Sequence, residues 1–363
     1  MQRRIITLTL GLGFALMFVL SSAMAQYKLT NLSSNQVKQA HHDDPLLVNA
    51  WGLVHAHGSP WWVSDNLSGW STLYDDQGNL NAGLKVLIPT AGNGPDSPTG
   101  LNGPGSPTGI VWNGSKEFQV QGWPSLFLFA TLDGTISGWA PQSNFNQAIL
   151  GVDTTANKNP HPAVYTGLAI TNNTSANHLF AADMANNKVD MYDGNFNLVK
   201  SFTDPSLPAD FAPFGVQDIN GLVYVAFASA SGASGGFVEV FKEDGTPALG
   251  MPKPLIHGLP LNQPWGIAVA PSSFGKLSNT LLISNNTDHG TINAFNPGNG
   301  DFVGTVRDRD GKVICIDQLW GIGFGDGAGK NGAVNQLFFT AGPSNNLAGT
   351  FGVISVRPDR DDE

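Results

Sequence analysis

A chain of 363 residues with 44 Gly, 23 Pro and only 13% charged residues does not describe a helical protein, and its 41% apolar content argues against disorder. A formal charge of −10 and the lack of Lys/Arg clusters exclude nucleic acid and anionic membrane surfaces as natural partners. With Cys315 as its single cysteine, the chain forms no intramolecular disulfide.

The chain opens on Arg3 and Arg4, an apolar run from Ile5 to Leu20, and the small-x-small triplet Ala23-Met24-Ala25. This order predicts a secretory signal over residues 1–25, cleaved before Gln26, and export to the periplasm or the extracellular space. The apolar run approaches membrane-spanning length, but no basic stop-transfer cluster follows it. Loss of Arg3 and Arg4 would leave 16 basic against 28 acidic residues. Next, "YKLTNLS" reads as a strand without a local partner, and "HHDDP", residues 41 to 45, as a polar loop.

From there one phrase recurs. Gly52 in "AWGLV", Gly109 in "PTGIV", Gly167 in "YTGLA", Gly215 in "PFGVQ", Gly266 in "PWGIA" and Gly321 in "LWGIG" are spaced by 57, 58, 48, 51 and 55 residues. Each phrase is followed by a second apolar run ending in Asp, Asn, Ser or Gly, as in "PWWVSDN" and "NHLFAADMANN". Third runs end on Tyr74, Trp139, Tyr192, Phe241 and Phe295, with an aliphatic end in the sixth unit's "TFGVISV". Fourth runs such as "LKVLIP", "AILGVD" and "LVKSF" close the units. Short β-type runs at this period predict an all-β fold, a six-bladed β-propeller with four-stranded antiparallel blades.

The anchor glycine then belongs to the innermost strand, where backbones crowd around the axis, and the Pro or Trp beside it fills the corner between blades. The sixth unit lacks a fourth run, so the orphan strand near residues 27 to 33 is expected to supply it and close the ring, which removes open sheet edges. The domain reading is a signal at 1–25, a propeller at 26–356 and an acidic tail at 357–363.

The third unit, "YTGLAITNNTSANHLFAADMANNKVDMYDGNFNLV", resembles an NHL-type repeat: an aromatic, Gly and aliphatic residues, a strand ending near Asp and Asn, and a strand ending in an aromatic before Asp-Gly. The whole chain resembles a family of secreted bacterial six-bladed propellers without an assigned activity. That resemblance implies the fold and is silent on chemistry.

In an up-and-down blade, the loop leading into the inner strand and the loop after the second strand share one face. Polar residues collect there in the sequence, giving His41, His42, Asp43, Asp44, Asp133, His161, His257 and His289 as ligand-face candidates at an expected polar channel mouth. Asp65, Asp183, Asn285 and Asp288 form an oxygen-rich set of the kind Ca²⁺ takes, although Asp and Asn also make good turns by bonding their own backbone. The functional expectation is an exported module that uses this polar face to bind a ligand or protein. Alternatives are a metal-dependent hydrolase of the lactonase type and a structural component of an envelope or matrix. Lactonase-like propellers hold their ion through Glu, Asn and Asp, and none of Glu117, Glu239, Glu243 and Glu363 falls where an inner-ring ligand would stand.

Three segments take other readings. The loop "TAGNGPDSPTGLNGPGSPTG", residues 90 to 109, is either a lid over the channel or a slack linker, and "GAGKNGA" is a surface turn. Cys315, in the apolar run "KVICIDQLW", is expected to be a buried, inert thiol.

Overall fold

The computed structural model describes residues 26–92, 104–155, 161–171, 177–248 and 253–357. Six antiparallel sheets of four main strands follow one another along the chain. Blade 1 is Ala50–Val54, Trp61–Asp65, Trp70–Tyr74 and Val86–Leu87; blade 2 is Pro107–Trp112, Phe127–Thr131, Thr135–Trp139 and Ile149–Asp153. Blade 3 is Tyr165–Ile170, Leu179–Asp183, Lys188–Tyr192 and Leu198–Phe202; blade 4 is Phe211–Ile219, Leu222–Ser229, Phe237–Lys242 and Ile256–His257. Blade 5 is Pro264–Val269, Leu281–Asn285, Ile292–Phe295 and Phe302–Thr305. These are the runs read from the sequence, and the fold is a six-bladed β-propeller.

Blade 6 combines the two ends of the described chain. Leu319–Phe324, Gln336–Ala341 and Thr350–Arg357 are completed by Gln26–Ser34, which pairs antiparallel from Gln26 opposite Arg357 to Ser34 opposite Thr350. The two-residue strand His42–Asp43 adds a short parallel pairing outside it. The N-terminal strand therefore closes the ring, as the missing fourth run required.

The anchor glycines account for the tight axis. A Cβ on Gly52 would lie 2.5 Å from Thr108 O, and the same test places Gly109 against Leu168, Gly167 against Phe214, Gly215 against Trp265, Gly266 against Trp320 and Gly321 against Trp51. Each glycine thus abuts the inner strand of the next blade, and the sixth abuts the first. Side chains on alternate faces of the blades form six apolar clusters, each shared by two neighbouring blades, such as Trp61, Tyr74, Phe338 and Phe351 between blades 6 and 1. The core is a ring of seams.

Three readings need correction or completion. The bulky residues beside the anchor glycines do not fill the corners between blades; Trp51, Phe214, Trp265 and Trp320 gather in a separate cluster on the axis. Cys315 is exposed, because it alternates with Ile314 and Ile316, whose side chains are both buried and so turn the thiol outward. Blade 2 also carries an inserted hairpin, Gln119–Val120 with Trp123–Pro124, that follows no repeat. The predicted signal, residues 93–103 of the long loop and the acidic tail beyond Arg357 lie outside the described residues. Among the described residues no helix is long and apolar enough to cross a membrane.

Candidate functional site: the axial channel and its two ends

On the face of the polar loops the channel is closed by aromatic rings. Trp51 and Trp320 stack at 3.6 Å between centroids with 18° between planes, and Trp265 stands edge-on to both, at 6.2 and 5.8 Å. Phe214 reaches Trp51 at 6.3 Å from the opposite side of the ring, which is possible only if both point at the axis. The Trp265 indole N–H donates to Thr166 O at 2.9 Å and that of Trp320 to Asn49 Oδ1 at 3.1 Å, so two rings are fixed in place by hydrogen bonds as well as by packing. Leu132 and Met184 pack against the cluster. The expected polar mouth is therefore corrected to an aromatic plug, since the residue before each anchor glycine points inward and four of the six are large.

The eight ligand-face candidates stand around this plug without converging. His41, Asp43, His161, His257 and His289 are exposed, and His42 is half-buried in the short strand beside Ser33. Asp133 accepts the Ser106 N–H at 2.7 Å, which fixes the loop into blade 2. Asp44 is buried and accepts the Tyr74 hydroxyl at 2.6 Å and the Leu46 N–H at 2.9 Å.

The four oxygen ligands read as a metal set are spread over three blades. Asp65, fully buried, accepts from Thr72 Oγ1 at 2.8 Å, and burial followed by the nearby Asp44 charge pushes its carboxyl well above the usual carboxylate range. A neutral carboxyl is a poor ligand for a hard cation. Burial also raises Asp183, against the pull of Asn186, which donates to its Oδ2 at 2.7 Å. Asn285 Nδ2 donates to Pro260 O at 2.7 Å, and Asp288 accepts from Gln318 at 2.7 Å. Each of the four spends side-chain bonds within the protein, Asp183 on its own turn through Asn186 and the others on Thr72, Pro260 and Gln318. Among the described residues no three His, Cys, Asp or Glu side chains gather to hold a metal ion.

The other end of the channel is open. Past a waist of only about 40 Å³ at the anchor glycines, the ends of the inner strands spread into a funnel of about 460 Å³. Its wall is Leu53, Val54 and His55 from blade 1, Ile110 and Trp112 from blade 2, Ile170 from blade 3, residues 217–220 from blade 4, residues 267–269 from blade 5 and residues 322–324 from blade 6. Blade 4 has the longest inner strand, turned by Asn220 and Gly221 at φ 55° and 80°, as the tight primed hairpin requires. That extension places Asp218 in the wall. Burial pushes the Asp218 carboxyl up to about 6, against a backbone hydrogen bond from Gly221, and its Oδ2 is buried without a partner.

Facing it across the ring, His55 stands edge-on to Trp61 at 4.5 Å with Nε2 3.0 Å from Phe324 O and Nδ1 3.1 Å from Asn331 Nδ2. Asp326, on the loop that follows the inner strand of blade 6, clasps blade 1 by accepting the Gly58 N–H at 2.9 Å and facing His57 Nδ1 at 2.9 Å. Burial works against its charge, but N–H donors from Gly58 and Ala328 with the Asn331 side chain hold the Asp326 carboxyl at about 2. "GAGKNGA" is thus a surface turn anchored at the funnel rim. None of the funnel residues was among the ligand-face or metal candidates read from the sequence, and the Asn-Gly pair at 220–221 was the one local signal that marked the longer strand.

No family model matches the chain. An uncharacterised protein of Acanthamoeba polyphaga mimivirus is 29% identical over 347 residues, spanning 92% of this chain and 81% of its own length. A second from the same virus is 29% identical over 323 residues, 83% of this chain and 79% of its own. These relatives are viral rather than bacterial. Similar solved structures include a streptogramin B lyase (11% identity, TM-score 0.46, 92% of this chain and 98% of that one) and virginiamycin B lyase from Staphylococcus aureus (13%, 0.47, 92% and 100%). The WD40 β-propeller domain of Doa1 is alike to the same degree (10%, 0.46, 90% and 96%). The likeness in these structures is one of fold.

Proposed function

We propose that the protein is an exported β-propeller of the secreted type that binds a small ligand with both apolar and polar surface in its axial funnel. One observation carries the reading: the channel is closed by stacked indoles at one end and open at the other into about 460 Å³ whose wall mixes aliphatic side chains with polar groups, among them His55, Gln217, Asp218 and Asn220. Space of that size, lined by apolar and polar groups together, suits a drug-sized molecule. Asp218 and His55 stand on opposite walls, in blades 4 and 1, so they contact a ligand from two sides rather than act together on one bond. Export rests on the basic, apolar and small-residue order of residues 1–25 in the sequence.

The test uses a neutral apolar fluorophore, Nile red, titrated into the purified protein. Val269 lines the funnel and is 41% exposed at its rim, so Val269→Arg puts a charge into the wall without disturbing a seam. Binding should weaken by about tenfold or more while Tm stays within about 2 °C. Unchanged Nile red affinity in that variant would sink the proposal.

A further inference from the structure

Along the sequence the basic residues look scattered, but the closing strand gathers some of them. The described residues include only three arginines, Arg307, Arg309 and Arg357, and all three stand where Gln26–Ser34 lies against the loop between blades 5 and 6. The Tyr27 N–H donates to Arg307 O at 3.1 Å, which seats that loop beside the strand, and Gln26 stands opposite Arg357. Between them opens a pocket of about 450 Å³, separate from the axial funnel. Tyr27, Leu29 and Ile314 line it together with four cations, Lys28, Arg309, Lys312 and Arg357.

These cations are not used inside the protein. Arg307 donates to Gly311 O at 2.9 Å and stiffens its own loop, whereas Lys28, Arg309, Lys312 and Arg357 form no ion pair or side-chain hydrogen bond with any described residue. Two carboxylates share the wall, and Asp308 is turned onto its own loop, accepting the Asp310 and Lys312 N–H groups at 2.9 Å each. Four cations against two acids leave an excess of two positive charges, in a chain whose formal charge is −10. Like charges crowded around one concavity repel one another and focus a positive potential into it; a multivalent anion relieves the repulsion and gains from the potential. Guanidinium forks match the oxygens of phosphate and carboxylate two at a time. The volume is that of a small-molecule site.

We propose that this pocket binds a small molecule bearing two or more phosphate or carboxylate groups, held by Arg309 and Arg357 with Lys28 and Lys312 beside them. The site lies at the outer rim of the propeller and owes nothing to the funnel. Lys28 and Arg357 come from the two strands that close the ring, so an occupied pocket also favours the closed ring.

The probes are pyrophosphate and citrate, titrated calorimetrically into the purified protein at constant, near-physiological ionic strength. At least one should bind with a Kd of about 0.1 mM or tighter, and the better of the two tells phosphate from carboxylate. Arg309→Gln combined with Arg357→Gln should weaken binding by about tenfold or more with Tm within about 2 °C, because neither side chain has a partner to lose. Lys116→Gln combined with Lys242→Gln removes the same charge from blades 2 and 4 and should leave binding unchanged. Cys315, the chain's only thiol, is exposed in the same pocket, so bound probe should slow its alkylation by iodoacetamide about threefold or more. Absence of binding by both probes overturns the proposal, as does an equal loss in the two double variants, undiminished affinity in the arginine variant, or binding that leaves Cys315 alkylation unchanged.

Discussion

The two ends of the axial channel are built from one repeated strand and differ by which of its residues face the axis. Before each anchor glycine stand Trp51, Thr108, Thr166, Phe214, Trp265 and Trp320, and four rings are enough to meet in the middle. After it stand Leu53, Ile110, Leu168, Val216, Ile267 and Ile322, which pack into the seams between blades and leave the axis unfilled. The plug is held by stacking and hydrogen bonds, and the funnel wall by the blades behind it. Closure is thus a property of side-chain length at one position, and the backbone allows either end to be open.

The largest test of this contrast is Trp320→Ala. It removes the stacking partner of Trp51 and leaves Asn49 Oδ1 without its indole donor, so denaturant unfolding should show a loss of about 3–5 kcal/mol. A loss under about 1 kcal/mol would mean that the rings merely occupy the opening. Asp218 gives an intermediate effect at the other end. Its folded value of about 6 lies above the ordinary 3.8, so between those values the native state holds more of this proton than the unfolded chain. Stability from this group is complete below pH 3.8 and is lost as pH rises through 6. Melting curves from pH 3.5 to 7 should therefore show a decline in wild type, relative to Asp218→Asn, across that window; parallel curves would show that the wall does not desolvate the carboxyl. The smallest effect belongs to the plugged face, where His289→Ala should move stability by less than about 0.5 kcal/mol and leave Nile red binding unchanged. A clear loss of dye affinity there would return attention to the polar loops.

The blades were legible because their signals are local: aromatic ends such as Tyr74 and Tyr192, and anchor glycines whose close approach recurs six times. Closure by Gln26–Ser34 was legible by counting, since five units had a fourth run and the sixth did not. The channel was read with the wrong end open. Polar loops over the plug suggested a polar mouth, but Asp65, Asp183 and Asn285 spend hydrogen bonds on Thr72, Val164 and Pro260 of adjoining segments. Trp beside three of six glycines was the available clue, because a corner between blades has room for one large ring and the axis has room for several. The funnel left no comparable trace. Leu53, Ile170 and Ile322 look like any strand interior until the direction of each inner strand is known. Glu239 was placed mid-strand correctly, yet the Asp204 carboxyl that it meets belongs to a loop from outside its own sheet.

The strand that seals blade 6 joins the earliest described residues to the latest, with Gln26 opposite Arg357. Such a pairing has the longest sequence separation this topology offers, and contacts of that kind form slowly because the whole intervening chain must be ordered first. A newly made molecule therefore waits with Gln26–Ser34 unpaired until Thr350–Arg357 emerges, and both edges stay open until the two strands meet. During that interval a neighbouring molecule can donate the missing strand as readily as the chain itself, which makes strand exchange between copies the characteristic assembly error of this ring. Dilution during refolding should then favour the monomer.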